Sequence, residues 1–266
     1  MYARVTATQQ LTPGLVRVVL GGGDLDRFAM PDATDAYVNV AIPPPGAPYG
    51  PVFDPKEVRD QYPQATWPAR RRYTVRAWDP SAQELTVDFV VHGDVGVAGP
   101  WAAAVRPGDV LVFEGPGGGY RPDPEADWHL MIGDESALPA IAASVEAVPA
   151  GSPVVVRIVC DGPDHELELT SPGTLDVEWV HRSGSPEDGQ LLPRALKELS
   201  FPQGRVHAFI HGEADEIREI RRHLLVDRGL TRADMSCSPY WRREMTDEAW
   251  RQVKRDFVAA MDAEVA

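Results

Sequence analysis

The stretch 71-RRYTVRAWDP-80 predicts a β-strand over residues 73–78, in which three arginines flank an aromatic ring and a hydroxyl group. Strand alternation places Arg71, Tyr73 and Val75 on one face and Arg72, Thr74 and Arg76 on the other. A tyrosine ring can stack on a flat cofactor, a threonine hydroxyl or amide can meet a ring nitrogen, and a guanidinium can hold a phosphate. Taken by itself, the stretch is equally typical of an edge strand protected by charges.

The chain around this stretch is predicted to be an antiparallel β structure. Short alternating or apolar runs, separated by Gly, Pro and Asp clusters, predict strands over residues 16–20, 36–42, 73–78, 85–91 and 110–114. Strands of this length with frequent turns favour a sandwich or a small barrel, and we place this domain at residues 1–122. Residues 43–69 are rich in proline and lack periodicity, so we expect a long surface loop there.

Beyond the proline- and acid-rich residues 121–127, which we interpret as a linker, strands alternate with helices. Strands are predicted over residues 128–132, 154–160, 177–181 and 206–211, and helices over 137–148, 191–199, 214–228 and 247–261. This alternation predicts a parallel-sheet α/β domain over residues 127–266, in which ligands bind outside the carboxyl ends of the strands.

Composition excludes several classes of protein. A formal net charge of −14 argues against nucleic acid or an anionic membrane as the main partner. No apolar run is long enough for a membrane-spanning helix, and the N-terminus does not resemble a signal peptide. The two cysteines, Cys160 and Cys237, favour a reducing, cytoplasmic compartment, and no metal-ligand spacing predicts a protein-built metal site. Only three of the 26 basic residues are lysine, which suits phosphate recognition by arginine but is explained equally well by a GC-rich genome.

Two segments after the quoted strand suit a dinucleotide. The strand 88-DFVVHG-93 is followed by the glycine-rich 94-DVGVAGPWAAAVRPGD-109, which leads into a short helix at residues 101–104. Backbone N–H groups at such a turn suit a pyrophosphate, although an ordinary β-turn-α corner has the same pattern.

Polar motifs also follow the strands of the second half. They are 133-GDESALPAI-141, 180-VHRSG-184, 210-IHGEADEIR-218 and, after a last short strand, 238-SPYWRRE-244. The turn at Gly133 is a place for a second dinucleotide, but it is not a GxGxxG fingerprint. Helix capping by Asp134 and Ser136 is an equally good explanation of those residues.

In order and rough spacing, these motifs resemble the siderophore-interacting proteins, which are FAD-binding ferric-siderophore reductases related to the ferredoxin–NADP reductases. The resemblance covers residues 1 to about 244. It implies an N-terminal FAD-binding barrel followed by a nicotinamide-binding α/β domain. Arg71 would then face the flavin phosphate, Tyr73 would stack on the ring, and Thr74 would lie at its N5 side; Tyr73 and Thr74 are the catalytic candidates. The remaining FAD candidates are Asp88, Val90, Val91, His92, Gly96, Ala98, Gly99, Trp101, Ala102 and Trp241.

This sequence departs from the family pattern at two motifs. Gly99 replaces a usual serine and Pro100 lacks an N–H, so the pyrophosphate loop loses a hydroxyl and a further donor. Pro239 and Glu244 replace glycines of the terminal motif, which affects the backbone path there rather than the aromatic Trp241.

NADPH or NADH is expected at the carboxyl ends of the parallel strands. The candidate residues are Gly133, Asp134, Glu135, Ser136, Pro139, Arg182, His211, Gly212 and Glu213. Arg182 with Ser183 is predicted to bind a 2′-phosphate and so to select NADPH. If Arg182 does not have this role, Arg242, Arg205 or Arg157 are the next candidates. The simpler explanation of Arg182 is an exposed loop arginine that contacts no cofactor. An anionic ferric siderophore is expected to dock on Arg72, Arg76 and Arg243, with Lys56 or Arg59 as alternatives.

The resemblance thus implies a monomeric flavoprotein that reduces ferric siderophores with NAD(P)H and releases Fe(II). One alternative is a flavin-dependent reductase for another acceptor, such as an oxygenase, although two cysteines cannot build a four-cysteine iron–sulfur site. The other is a non-catalytic flavin- or siderophore-binding protein, against which the intact 133–141 turn argues.

Overall fold

A computed structural model describes residues 1–93 and 96–265. Asp94 and Val95, which belong to the predicted glycine-rich turn, and the C-terminal Ala266 lie outside the described residues. The chain divides into two compact units, Met1–Gly119 and Tyr120–Ala266. The predicted fold class, an antiparallel barrel followed by a parallel-sheet α/β unit, is confirmed.

The first unit is a closed six-stranded barrel in which the strands are neighbours in the order β1-β2-β5-β4-β3-β6. The strands are β1 (Tyr2–Thr12), β2 (Leu15–Gly21), β3 (Tyr37–Ile42), β4 (Ala69–Asp79), β5 (Glu84–Val90) and β6 (Val110–Gly117). All pairings are antiparallel, and apolar side chains such as Val38, Phe89 and Phe113 fill the interior. β1 was not predicted, because much of it is exposed and polar and so lacks an apolar alternation.

Two local expectations about the barrel are wrong. The segment 43–69 is not a loop throughout, because α1 (Pro55–Gln61) forms inside it. Asp54 caps this helix by accepting hydrogen bonds from the N–H of Lys56 at 2.6 Å and of Glu57 at 3.4 Å, and Pro55 occupies its first turn. On β4, the register shifts between Val75 and Ala77, so simple alternation does not hold at Arg76.

The second unit is a five-stranded parallel sheet in the order β11-β10-β7-β8-β9. The strands are β7 (Trp128–Asp134), β8 (Pro153–Cys160), β9 (Thr174–His181), β10 (Val206–Glu213) and β11 (Met235–Trp241). The chain moves outward from the central β7 to β8 and β9, and then returns to the other side of β7 as β10. Because the strand order reverses between β7 and β10, the ligand crevice is expected outside their carboxyl ends.

The barrel unit also contains helix α2 (Ala98–Ala104). The helices of the α/β unit are α3 (Leu138–Glu146), α4 (Leu191–Glu198), α5 (Ala214–Arg222) and α6 (Asp247–Ala263). Short 3-10 turns lie at Leu25–Arg27, Gln64–Thr66, Pro163–His165, Pro186–Gln190 and Arg232–Asp234. The single helix predicted over 214–228 is wrong in its second half, where α5 gives way to a π-helical turn at His223–Asp227. None of the helices in the part of the chain that the structure describes is long and apolar enough to cross a bilayer.

Candidate functional site

In the barrel unit, the predicted flavin face contains a row of aromatic rings. The Tyr73 and Phe89 ring centroids lie 4.2 Å apart, and those of Phe89 and Trp101 lie 5.4 Å apart. Phe89 is fully buried, whereas Tyr73 and Trp101 are partly exposed and pack against the core. Aromatic rings that are held in this way provide contact area for a planar ligand at little cost in side-chain entropy. Thr74, beside Tyr73 on β4, is buried.

The three arginines of the quoted stretch differ in their surroundings. Arg71 is half-buried and donates a hydrogen bond to the carbonyl oxygen of Arg70. Arg72 is exposed; its guanidinium donates to the Asn39 side chain at 3.3 Å and lies 5.0 Å from the centroid of the Tyr37 ring. Arg76 is half-buried at the register shift.

Asp88 is held by a partner that the sequence analysis did not identify. Its carboxylate is 2 % exposed and accepts two hydrogen bonds from the Arg17 guanidinium, at 2.7 and 2.8 Å. The two residues face each other across the β2–β5 pairing. Both carboxylate oxygens of Asp88 are thus engaged within the barrel, and the expected contact of Asp88 with a flavin stays a prediction.

The end of β5 and the start of α2 approach each other closely at Gly99. A Cβ atom at this position would lie 3.1 Å from the carbonyl oxygen of Val90 and 3.3 Å from Cα of Val91. Gly99 therefore permits a close approach that the serine of the family pattern would hinder. In the first turn of α2, Pro100 has no N–H, and the N–H of Trp101 donates to the carbonyl oxygen of Val97.

This corner holds the remaining FAD candidates. Ala98 and Ala102 are buried, Val91 is half-buried, and Gly96 and His92 are exposed. Gly96 has a φ of 84°, which a residue with a side chain rarely adopts.

In the α/β unit, Asp134 organises the carboxyl ends of β7, β10 and β11. Its carboxylate is buried and accepts from the N–H and hydroxyl of Ser136 and, at 2.7 Å, from the Trp241 indole Nε1. These hydrogen bonds form before α3, whose N-cap residue is Ala137 and which no side chain of the described residues caps, so the expectation that Asp134 and Ser136 cap the helix is wrong. Pro139 lies buried in the first turn of α3. Trp241 was predicted as an aromatic surface for a flavin or purine; its N–H is committed to Asp134, and it lies within β11 rather than after it.

Two glycines make this arrangement possible. A Cβ atom on Gly133 would lie 2.6 Å from the His211 carbonyl oxygen and 2.6 Å from the Ala137 Cβ. At Gly212, where φ is 151°, a Cβ atom would lie 2.7 Å from the Asp134 carboxylate. The carboxyl ends of β7 and β10 thus approach closely, at the edge of the sheet where a ligand is expected.

A second group of acids lies beside Asp134. Glu213 caps α5 by accepting from the N–H groups of Asp215 and Glu216, at 2.9 and 3.1 Å, and also accepts from the N–H of Arg243. The Arg243 guanidinium forms an ion pair with Glu216. Burial raises the pKa of Glu216 to about 7 although Arg243 opposes the shift. Arg243 was predicted to bind the chelate, but it is engaged by this group.

His211 is a residue of the core rather than of an exposed site. It is 4 % exposed, its ring stacks on Phe209 with centroids 3.9 Å apart, and Nε2 lies 3.0 Å from the Ser236 hydroxyl. Burial lowers its pKa to about 3. The His211 ring therefore packs within the core, and the expected contact of His211 with the nicotinamide cofactor stays a prediction.

At the carboxyl ends of β7, β8 and β9, Arg182 is enclosed by acids. Its guanidinium donates to both oxygens of Glu135, at 2.5 and 2.8 Å, and to Asp161 at 2.8 Å. Glu135, Asp161 and His165 place one potential metal ligand each within 4.8 Å of one another, but two of these groups already bind a cation, the guanidinium. Asp161 was not identified from the sequence, although its position directly after a predicted strand was a signal.

Comparison with known proteins identifies the family. Residues 4–120 match the model of the siderophore-interacting FAD-binding domain, and residues 126–244 match that of the siderophore-interacting proteins. The ferric vibriobactin reductase ViuB of Vibrio cholerae is 32 % identical over 91 % of this chain and 89 % of its own length. An uncharacterized protein of Mycobacterium tuberculosis is 42 % identical over 96 % of this chain and 95 % of its own.

A solved siderophore utilization protein from T. fusca superimposes with a TM-score of 0.79 at 37 % identity, covering 93 % of this chain and 94 % of that structure. A ferredoxin NADP+ reductase from Neisseria gonorrhoeae shares the fold, with a TM-score of 0.55 at 13 % identity, covering 91 % of this chain and 98 % of that structure. The chain therefore belongs to the siderophore-interacting protein family.

Proposed function

We propose that this chain is an FAD-containing reductase that oxidises NAD(P)H and reduces a ferric siderophore, from which iron leaves as Fe(II). The observation that carries the proposal is the reversal of strand order between β7 and β10, with Gly133 and Gly212 at its carboxyl edge, in a chain whose other unit matches an FAD-binding domain. Bound FAD would supply the conversion of a hydride into single electrons.

The barrel unit fits a flavin. We propose that Tyr73 stacks on the ring system, that Thr74 faces its N5 side, and that Arg71 neutralises phosphate. The close approach at Gly99 would bring the first N–H groups of α2 and the end of β5, including Val90 and His92, to one ligand.

The α/β unit fits a nicotinamide dinucleotide. We propose that the backbone at Gly133, Ser136 and Gly212 lines its crevice, with Asp134 and Glu213 holding the surrounding loops through their hydrogen bonds. Trp241 would line the same edge with the ring that Asp134 orients. We also propose that the protein works as a cytoplasmic monomer.

Stopped-flow absorbance tests the function. The purified protein with bound FAD should lose its yellow flavin absorbance when it is mixed with NADH or NADPH without oxygen. Addition of a ferric siderophore should then restore this absorbance, and an Fe(II) chelator in the same solution should develop its colour. A protein that is bleached by neither nicotinamide would not be a reductase of this kind. Bleaching followed by no reaction with any ferric chelate would point to another acceptor.

Tyr73→Ala should weaken the retention of FAD. The substitution removes the ring face that Phe89 supports, worth about 1 kcal/mol beyond the buried area, or roughly a fivefold increase in the dissociation constant. Fluorescence titration of the deflavinated protein measures the change. Tyr73→Phe is the matched control, because it keeps the ring and removes only the hydroxyl; an equal loss in both variants would contradict stacking.

Ferric chelates are proposed to dock on the basic side chains of the barrel unit, since Arg243 is held by Glu216. Reversing the charge at Lys56, Arg59, Arg72 and Arg76 should raise the KM for an anionic ferric siderophore about tenfold at low salt, and less at high salt. Steady-state kinetics measures the effect. Arg255→Glu is the control, because Arg255 is 93 % exposed and lies on α6 in the other unit. An unchanged KM at low salt in the fourfold variant would reject this surface.

A further inference from the structure

The loop that follows β9 contains the donors that a 2′-phosphate would require, but acids of the same chain already accept from them. Arg182, Ser183 and Gly184 follow the end of β9 at His181. In a doubly wound sheet, the adenosine ribose of a dinucleotide lies near the carboxyl ends of these outer strands. A carboxylate there accepts from the 2′-hydroxyl of NADH, whereas an arginine holds the 2′-phosphate of NADPH.

The guanidinium of Arg182 is the first of these donors. It binds Glu135 through two hydrogen bonds and Asp161 through a third, and the side chains of Arg182 and Glu135 are 18 % and 9 % exposed. Burial would lower the pKa of Arg182, but its hydrogen bonds to Glu135 and Asp161 and the charges of Glu135 and Asp134 outweigh burial and raise the pKa. One positive charge therefore faces two negative charges at this edge.

The loop N–H groups are the second set of donors, and Asp188 occupies them. Its carboxylate accepts from the N–H of Ser183 at 3.1 Å, from the N–H of Gly184 at 2.9 Å and from the Ser183 hydroxyl at 2.9 Å. Gly184 has a φ of 79°, the left-handed conformation that turns successive N–H groups towards one anion. These hydrogen bonds, with that of the Ser183 N–H first, lower the pKa of Asp188. The Asp188 carboxylate of the same loop therefore already occupies these donors.

A 2′-phosphate offers only acceptors and brings nearly two negative charges, so it would have to displace Asp188 or Asp161 and face Glu135. A 2′-hydroxyl carries no charge and can donate to a carboxylate. We propose that Glu135, Asp161 and Asp188 make this chain select NADH over NADPH by occupying the donors of Arg182, Ser183 and Gly184. This inference rests on the proposed nicotinamide site, and it reverses the expectation from the sequence that Arg182 selects NADPH.

The test compares the rate of flavin reduction by the two nicotinamides in the protein with bound FAD. The wild type should have the higher kcat/KM with NADH. In an Asp161→Asn, Asp188→Ala double variant, the ratio of kcat/KM for NADPH to that for NADH should rise about ten- to a hundredfold, the range of a charge-assisted hydrogen bond to phosphate. Glu187→Gln is the matched control: it removes one charge beside Asp188 from an exposed side chain that pairs with Arg194, and the ratio should not change.

The outcomes separate the inference from the function on which it rests. Wild-type preference for NADPH, or an unchanged ratio in the folded double variant, would overturn the inference and leave the reductase intact. Calorimetry with 2′,5′-ADP and AMP gives a second measurement without turnover: the wild type should bind 2′,5′-ADP no more tightly than AMP, and the double variant should favour 2′,5′-ADP. Asp188→Asn replaces Asp188→Ala if the latter does not fold. Reduction by neither nicotinamide, with no binding of either fragment, would remove the proposed function and the inference together.

Discussion

Gly133→Ala should destabilise the α/β unit and weaken nicotinamide binding together. The new methyl carbon would lie 2.6 Å from the His211 carbonyl oxygen and from the Ala137 Cβ, and 3.1 Å from the Ile141 side chain. A carbonyl oxygen on a neighbouring strand and the start of α3 cannot move as freely as a flexible side chain. We therefore expect a loss of about 1–3 kcal/mol in the free energy of unfolding, the usual range for overpacking.

The same shift would move Asp134, the next residue, and so disturb its hydrogen bond with Trp241. Thermal denaturation and the KM for the nicotinamide measure the two effects. Gly50→Ala is the control, since its methyl group would meet no atom within 4 Å and its φ is not positive. If Gly133→Ala left both the melting temperature and the KM of the wild type unchanged, the close approach of β7 and β10 would not be a requirement of the site.

Mild acid should destabilise the α/β unit through two buried histidines. Burial lowers the pKa of His129 to about 4, with the charge of His207 adding to the effect, Asp123 opposing it and Arg205 adding slightly. Neither ring nitrogen of His129 has a hydrogen-bond partner among the described residues. Burial similarly lowers the pKa of His211 to about 3, with Lys254 adding to the effect.

Because both pKa values lie below the ordinary value of 6.5, the unfolded chain binds more protons than the folded chain as the pH falls from about 6.5 to 4. The stability contributed by the neutral rings is complete above pH 6.5. At pH 4.5, each histidine should lower the free energy of unfolding by about 2.5 kcal/mol.

Glu216 has the opposite effect on the free energy of unfolding as the pH falls. Its folded pKa of about 7 lies above its ordinary value of 4.5, so its ionisation costs stability as the pH rises through this interval, and acidification relieves that cost. The melting temperature, recorded at pH values from 8 to 4.5, measures the balance between the effects of the histidines and of Glu216. His129→Phe should remove about 2.5 kcal/mol of the loss at pH 4.5, or about 5–10 °C. Glu216→Gln should steepen the loss instead; a parallel profile in both variants would contradict this assignment.

The fold followed from the sequence because its signals are local. Apolar runs with turns predicted the barrel, and strands alternating with helices predicted the parallel sheet. The missed elements lack such signals: β1 has a polar, exposed outer side, and α1 buries only Pro55 and Val58 in a proline-rich segment. The last strand was expected to end before residues 238–244, but β11 extends to Trp241 and includes Pro239, which an edge strand tolerates.

The motifs of the candidate site are also short stretches of sequence, but the residues that their side chains bind lie far away in the chain. Asp88 binds Arg17, and Asp134 binds Trp241 across 107 positions of sequence. Neither pairing leaves a pattern in a single sequence. At Glu244, by contrast, the sequence pattern does reflect the structure. Glu244 stands where the family pattern has glycine, and its φ of 61° is the left-handed conformation that glycine adopts readily.

Pro239 affects how copies of the molecule meet one another. It lies in β11, one of the two edges of the parallel sheet, and is buried. A strand added by another copy would need a continuous row of N–H and carbonyl groups along this edge, and proline interrupts the row. Self-association by sheet extension is therefore disfavoured at the β11 edge, which protects this edge against aggregation.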